Sequence, residues 1–176
     1  VKDKSKKFSF DYNKDKPFIA VTLHRPSNVD NLEGLYKIME LLKYCAKLYQ
    51  IIFPMHPRTI RNIDKYELTL DFDAIDNVIY TTPMDYFTFQ KLLSRSYGVI
   101  TDSGGIQEEA PSIGKPNLVL RDHTERPEAI KKKSAILVGT NEKLIFNPGE
   151  SAGFFKGKNA IGIVDTQNLK ARRIFF

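Results

Sequence analysis

The chain has 176 residues, enough for one domain with a self-supporting core or for half of a larger two-domain enzyme. Its 41% hydrophobic, 27% charged and 11% aromatic content excludes a disordered, collagen-like or fibrous chain. No apolar run approaches the roughly 18 to 20 residues of a membrane-spanning helix, the charged N-terminus lacks an apolar signal segment, and the single cysteine, Cys45, has no partner for an internal disulfide, so a cytoplasmic protein is expected.

Lysine and arginine number 27 against 21 acidic residues, a net charge of +6 that favours anionic ligands. The densest basic runs are the head, residues 1–7, and Lys131-Lys132-Lys133. Neither is interleaved with aromatics or carries a recognised binding motif, so they read as solvated surface, and no nucleic-acid partner is expected. No Cys or His cluster has metal-ligand spacing, and no metal is expected.

Residues 1–16 form a polar, lysine-rich head. Residues 17–23, Pro-Phe-Ile-Ala-Val-Thr-Leu, are a nearly continuous apolar run that suits a strand buried on both faces of a parallel sheet. His24-Arg25-Pro26-Ser27-Asn28 breaks it. Asp30 and Asn31 can cap a helix whose apolar stripe runs through Leu32, Leu35, Ile38, Met39, Leu42, Cys45 and Ala46. The unit then repeats. Strands are predicted at 51–53 and 77–80, with a helix from Asp85 through Leu93 that buries Tyr86, Phe89, Leu92 and Leu93. Next come a strand at 97–101, a turn Asp102-Ser103-Gly104-Gly105, a helix from Ile106, and strands at 117–120 and 135–138. Strands alternating with helices predict a doubly wound, parallel α/β domain, Rossmann-like, over residues 17–140. The Gly/Lys-rich residues 141–176 form an atypical tail.

In that architecture the loops leaving the strands gather at one sheet edge. They carry His24 and Arg25, His56 and Arg58, Asp102 to Gly105, and Arg121 to Arg126, which describes an anion site better than an apolar pocket. Where a strand hands over to a helix, the first N–H groups are free, and paired glycines let a diphosphate approach the backbone. A tight turn needing glycine's dihedral freedom explains Gly104-Gly105 equally well. Arg126, just before Pro127 at a helix start, can fork onto a phosphate or join a surface ion pair with Glu125 or Glu128. Glu109, one turn beyond the glycines, can accept from a ribose diol or lie on exposed helix surface. His24 can donate to a phosphate, transfer a proton, or serve structure alone, and His56 shares that ambiguity. Cys45, on a helix's apolar stripe, reads as core.

Several ordered segments resemble the non-hydrolysing UDP-N-acetylglucosamine 2-epimerases. They are Val21-Thr22-Leu23-His24-Arg25 with Asn28-Val29-Asp30-Asn31, residues 53–59, Thr101 through Ser112, Gly114-Lys115-Pro116, and Arg121-Asp122 with residues 124–128. The resemblance implies the C-terminal half of a glycosyltransferase-B-like two-domain fold, with UDP-sugar in the cleft between two Rossmann-like halves. By similarity, Ser103, Gly104 and Gly105 would hold the diphosphate, Glu109 the ribose, Arg126 the phosphates, and Phe89 with the backbone near Met84 the uracil. His24 matches the family's histidine near the reacting sugar, as the catalytic candidate. The implied reaction interconverts UDP-N-acetylglucosamine and UDP-N-acetylmannosamine, for surface-polysaccharide precursors, through UDP elimination, a glycal intermediate and re-addition, without metal or redox cofactor.

The chain departs from the pattern in three places. The family's first half, which supplies the carboxylates that move the C2 proton, is not in these residues. Ser27 stands where the family has a glutamate, and Lys133 near where many relatives have glycine. The resemblance ends near Thr140. Three readings follow: the nucleotide-binding half of an epimerase completed by an N-terminal partner chain, a UDP- or UDP-sugar-binding module without catalysis, or a degenerate remnant. A homo-oligomer is compatible with each.

Overall fold

A computed structural model describes residues 16–121 in full, together with the backbone of strands at 135–137, 160–165 and 170–175. The order is β1 (Phe18–Thr22), α1 (Pro26–Val29), α2 (Leu32–Ala46), β2 (Gln50–Pro54), α3 (Pro57–Lys65), α4 (Thr69–Asp73), β3 (Val78–Thr81), α5 (Tyr86–Arg95), β4 (Gly98–Thr101), α6 (Ile106–Ser112), β5 (Asn117–Val119) and β6 (Ala135–Leu137). β7 (Ala160–Asp165) and β8 (Lys170–Phe175) pair antiparallel in a separate two-stranded sheet.

The main sheet has the order β3-β2-β1-β4-β5-β6, and every neighbouring pair in it is parallel. This is the doubly wound Rossmann-like arrangement, whose strand order reverses between β1 and β4. Successive β1 side chains serve opposite faces, as strand geometry requires. Ile19 and Val21 join Ile51, Phe53 and Ile100 against Leu35, Ile38 and Leu42 of α2 and Ile63 of α3. Phe18 and Ala20 join Ile52 and Val99 against Leu92 and Leu93 of α5 and Ile106 and Ala110 of α6. The near-continuous apolar run of β1 follows from that two-sided burial.

Asn31 caps α2, its side chain accepting from the Gly34 N–H at 2.7 Å. Asp85 caps α5, accepting from Thr88 N at 3.0 Å and Thr88 Oγ1 at 2.7 Å. Two expected core positions are exposed instead: Leu32 at 40% and Tyr86 at 61%. Both are the first residues of their helices, α2 and α5. Tyr86 instead packs edge-on against Phe87. Three short helices were not anticipated from sequence: α1, α3 and α4.

Candidate functional site at the β1–β4 switch point

The carboxylate of Asp102, just past β4, is fully buried and draws the neighbouring loop onto itself. It accepts from the main-chain N–H of His24 at 3.1 and 3.0 Å and of Arg25 at 2.9 Å, and from Asn28 Nδ2 at 2.9 Å. His24 Nδ1 lies 3.3 Å from Asp102 Oδ1. Asn28 Nδ2 also reaches the Leu120 carbonyl at 3.0 Å, adding the end of β5. Three strand-end loops are thus tied together where the strand order reverses, the crevice in which open α/β sheets place their ligands.

Helix α3 holds the same loop from its other side. Thr59 Oγ1 donates to the Leu23 carbonyl at 2.7 Å, and Asn62 Nδ2 to the Val29 carbonyl at 3.0 Å and Asp30 Oδ1 at 2.8 Å. Arg58 makes a two-pronged pair with Asp30 at 2.9 and 3.0 Å. His56, the N-cap of α3, accepts from Arg58 N through Nδ1, and its ring lies 5.3 Å from that of His24. The convergence expected of His24, Arg25, His56, Arg58 and Asp102 is therefore observed. Burial pushes the His24 imidazole below its ordinary value. Asp102 opposes that shift, while His56, Arg25 and Arg58 add to it, so the unliganded histidine is neutral near pH 7.

The glycine pair differs from its dihedral-freedom reading. Gly105, the N-cap of α6, has φ −66° and ψ −44°, which any residue adopts, and among the described glycines only Gly114 has positive φ. Nor does the protein crowd these positions. A Cβ on Gly104 would come no closer than 3.9 Å, to Arg121 Nη1, and one on Gly105 no closer than 3.7 Å, to Glu109 Oε1. Ser103 N–H is taken by Thr101 Oγ1 at 3.0 Å, whereas the N–H groups of Gly104 and Gly105 donate to no described residue.

Glu109, half-buried, receives a hydrogen bond from Gln90 Nε2 of α5. Met84 and Phe89 are half-buried and pack on the cluster that α5 and α6 share with the sheet. Arg126 lies outside the described residues. Sequence placed Asp102 at this edge and Asn28 in a family-like segment, but gave neither the role of hub, since their partners lie more than 70 positions away.

A family model described as UDP-N-acetylglucosamine 2-epimerase matches residues 1–155, wider than the motif-bearing span 17–140. The chain belongs to the UDP-N-acetylglucosamine 2-epimerase family. It is 41% identical over 132 residues to the UDP-N-acetylglucosamine 2-epimerase of Yersinia pestis, covering 72% of this chain and 33% of that protein. Against the Campylobacter jejuni enzyme of that name it is 41% identical over 161 residues, covering 85% and 41%. The crystal structure of Methanocaldococcus jannaschii UDP-GlcNAc 2-epimerase in complex with UDP-GlcNAc and UDP superposes with TM-score 0.67 at 37% identity, covering 71% and 35%. The chain thus spans about a third to two fifths of the length of these epimerase-family relatives. Among the described residues no helix is long and apolar enough to cross a membrane, and no group of three His, Cys, Asp or Glu is placed to hold a metal.

Proposed function

We propose that this chain is the nucleotide-binding, C-terminal portion of a UDP-N-acetylglucosamine 2-epimerase of the glycosyltransferase-B-like build, acting in the cytoplasm with its N-terminal half supplied by further chain or by a partner. UDP-N-acetylglucosamine binds at the β1–β4 crevice. The diphosphate rests on the Gly104 and Gly105 N–H groups with the Ser103 hydroxyl and Arg126, the ribose on Glu109, and the uracil against Phe89 and the backbone near Met84. Catalysis removes the C2 proton and breaks the C1–O bond, so that UDP departs with the electron pair. Re-addition of UDP and reprotonation of C2 from the opposite face complete the inversion. Charge grows on the departing diphosphate, where preorganised N–H donors are most effective. His24, neutral before binding, takes up a proton there. The carboxylates that move the C2 proton belong to the half outside this sequence.

The observation that carries this reading is the glycine pair. Neither backbone strain nor internal crowding calls for glycine at 104 or 105, and their N–H groups meet no described acceptor. A ligand pressed against the main chain does call for it. Calorimetry with UDP on the chain and on Gly105→Ala tests this. The variant should unfold within about 0.5 kcal/mol of the parent, as a substitution without a clash does, yet bind UDP at least tenfold more weakly, a loss of about 1.4 kcal/mol. Equal affinity in the two proteins, or no binding by the folded parent, overturns the assignment. The short span of the chain against its relatives favours, for the isolated polypeptide, binding without epimerisation.

A further inference from the structure

We propose that Asp102 is a positioning residue, its buried carboxylate fixing His24 as the Nδ1–H tautomer so that the imidazole meets an anion at the sheet edge as a proton acceptor through Nε2. A nitrogen lone pair 3.3 Å from a carboxylate oxygen is repelled by it, whereas an N–H at that place is attracted, so the proton sits on Nδ1. His56 carries the reverse assignment. Its Nδ1 accepts the Arg58 N–H at 3.1 Å, which leaves the proton of the neutral ring on Nε2. Two imidazoles 5.3 Å apart thus offer an anion one acceptor and one donor.

Among the described residues, the charged and titratable groups facing His24 are Asp102 from the β4–α6 loop, His56 and Arg58 from the start of α3, and Arg25 of its own loop. An anion arriving among them favours the imidazolium. Its added proton comes from solvent onto Nε2, while the first proton stays on Nδ1, facing the Asp102 carboxylate. That consequence rests on the nucleotide reading above; the tautomer itself does not.

The carboxylate's other partners make a substitution informative. Oδ2 faces three donors, the N–H groups of His24 and Arg25 and Asn28 Nδ2, against one at Oδ1, the shared His24 N–H at 3.1 Å, so in Asp102→Asn the amide oxygen takes the Oδ2 side. The NH2 group then faces His24 Nδ1 and forces it to become the acceptor, reversing the tautomer, the effect of such an exchange in aspartate–histidine pairs.

Long-range proton–nitrogen NMR of the chain labelled in its three histidines, with His56→Gln and His123→Gln for assignment, reads this directly. The expected spectrum has His24 protonated at Nδ1 and His56 at Nε2. In Asp102→Asn the His24 proton moves to Nε2, while His56 keeps its pattern and reports an intact edge. A parent His24 protonated at Nε2 overturns the proposal even if the variant fails to fold, and so does an unchanged His24 tautomer in a variant with the His56 pattern intact. UDP-N-acetylglucosamine should raise the His24 titration midpoint by about one pH unit, a tenfold change in proton affinity. No change on its addition, with both tautomers as expected, counts against the nucleotide site and leaves the Asp102 assignment standing.

Discussion

His24 and Cys45 are both removed from water, with opposite consequences for reactivity. His24 is half-buried and its proton affinity is lowered chiefly by desolvation, a cost that an arriving diphosphate offsets with its own charge. The bound-state value then lies above the free-state value, so affinity rises as pH falls through the bound value and levels off below the free one. Binding of UDP-N-acetylglucosamine, whose esterified diphosphate does not titrate near neutrality, should therefore strengthen severalfold between pH 8 and pH 6. Calorimetry across that range checks the sign. Cys45 lies fully inside the α2 face of the core, where burial pushes its thiol up to about 12. Almost no thiolate exists at pH 8, and native protein should react with a disulfide reagent only as fast as it opens, while denatured protein reacts at once. At this scale Cys45 was legible, since its place on an apolar stripe is a local pattern. Asp102 was not, because its meaning lies in the main chain of residues 24 and 25, which nothing near position 102 announces.

Helix α1 is a single turn, and what holds it in place comes from its neighbours. Its side against α2 is close enough that a Cβ on Gly34 would lie 2.2 Å from the Asn28 carbonyl oxygen and 2.8 Å from its carbon. Both are backbone atoms and cannot swing aside. Gly34→Ala gains about 1 kcal/mol of helix propensity but must part α1 from α2, and we expect a net loss of about 2 kcal/mol in urea unfolding, in line with overpacked sites. Because Asn28 also holds Asp102 and the Leu120 carbonyl, the same variant should bind UDP more weakly. Sequence periodicity found α2 and α5 because each presents an apolar stripe. It missed α3, whose buried face is Thr59, Asn62 and Ile63, since two of those three are polar and exist to hold the β1 loop. It missed α4 because Phe72 is that helix's sole buried residue. For Tyr86 the stripe misled, as the buried residues of α5, Leu92 and Leu93, lie toward its C-terminal end.

Across the whole molecule, the alternation of apolar runs with amphipathic stretches sufficed to anticipate the parallel sheet and the gathering of polar loops at one edge. Strand order was not contained in that alternation, because the central strands β1, β2 and β4 are apolar on both faces and pairing leaves no mark on composition. The order places the reversal between the loop carrying His24 and the loop carrying Gly104-Gly105, which is why two segments nearly 80 positions apart share one crevice. An elimination needs a base at the sugar as well as a cradle for the leaving group, and the chain covers only 33 to 41% of the Yersinia and Campylobacter proteins. In deuterated buffer, this polypeptide alone should leave the C2 hydrogen of UDP-N-acetylglucosamine unexchanged, as mass spectrometry would report. Adding a polypeptide with the N-terminal portion of such a relative should start the exchange. Exchange by the chain alone would mean that its own residues complete the acid–base set.

Asp102 grips residues 24 and 25 through their amide hydrogens, a handle that nineteen of the twenty amino acids provide. The side chains there can therefore be exchanged, and with them the chemistry offered at the crevice, without loosening the tether. Proline is the exception: set at position 24 or 25 it would cut a tether strand outright, whereas one place further on Pro26 is tolerated because nothing reaches for its nitrogen.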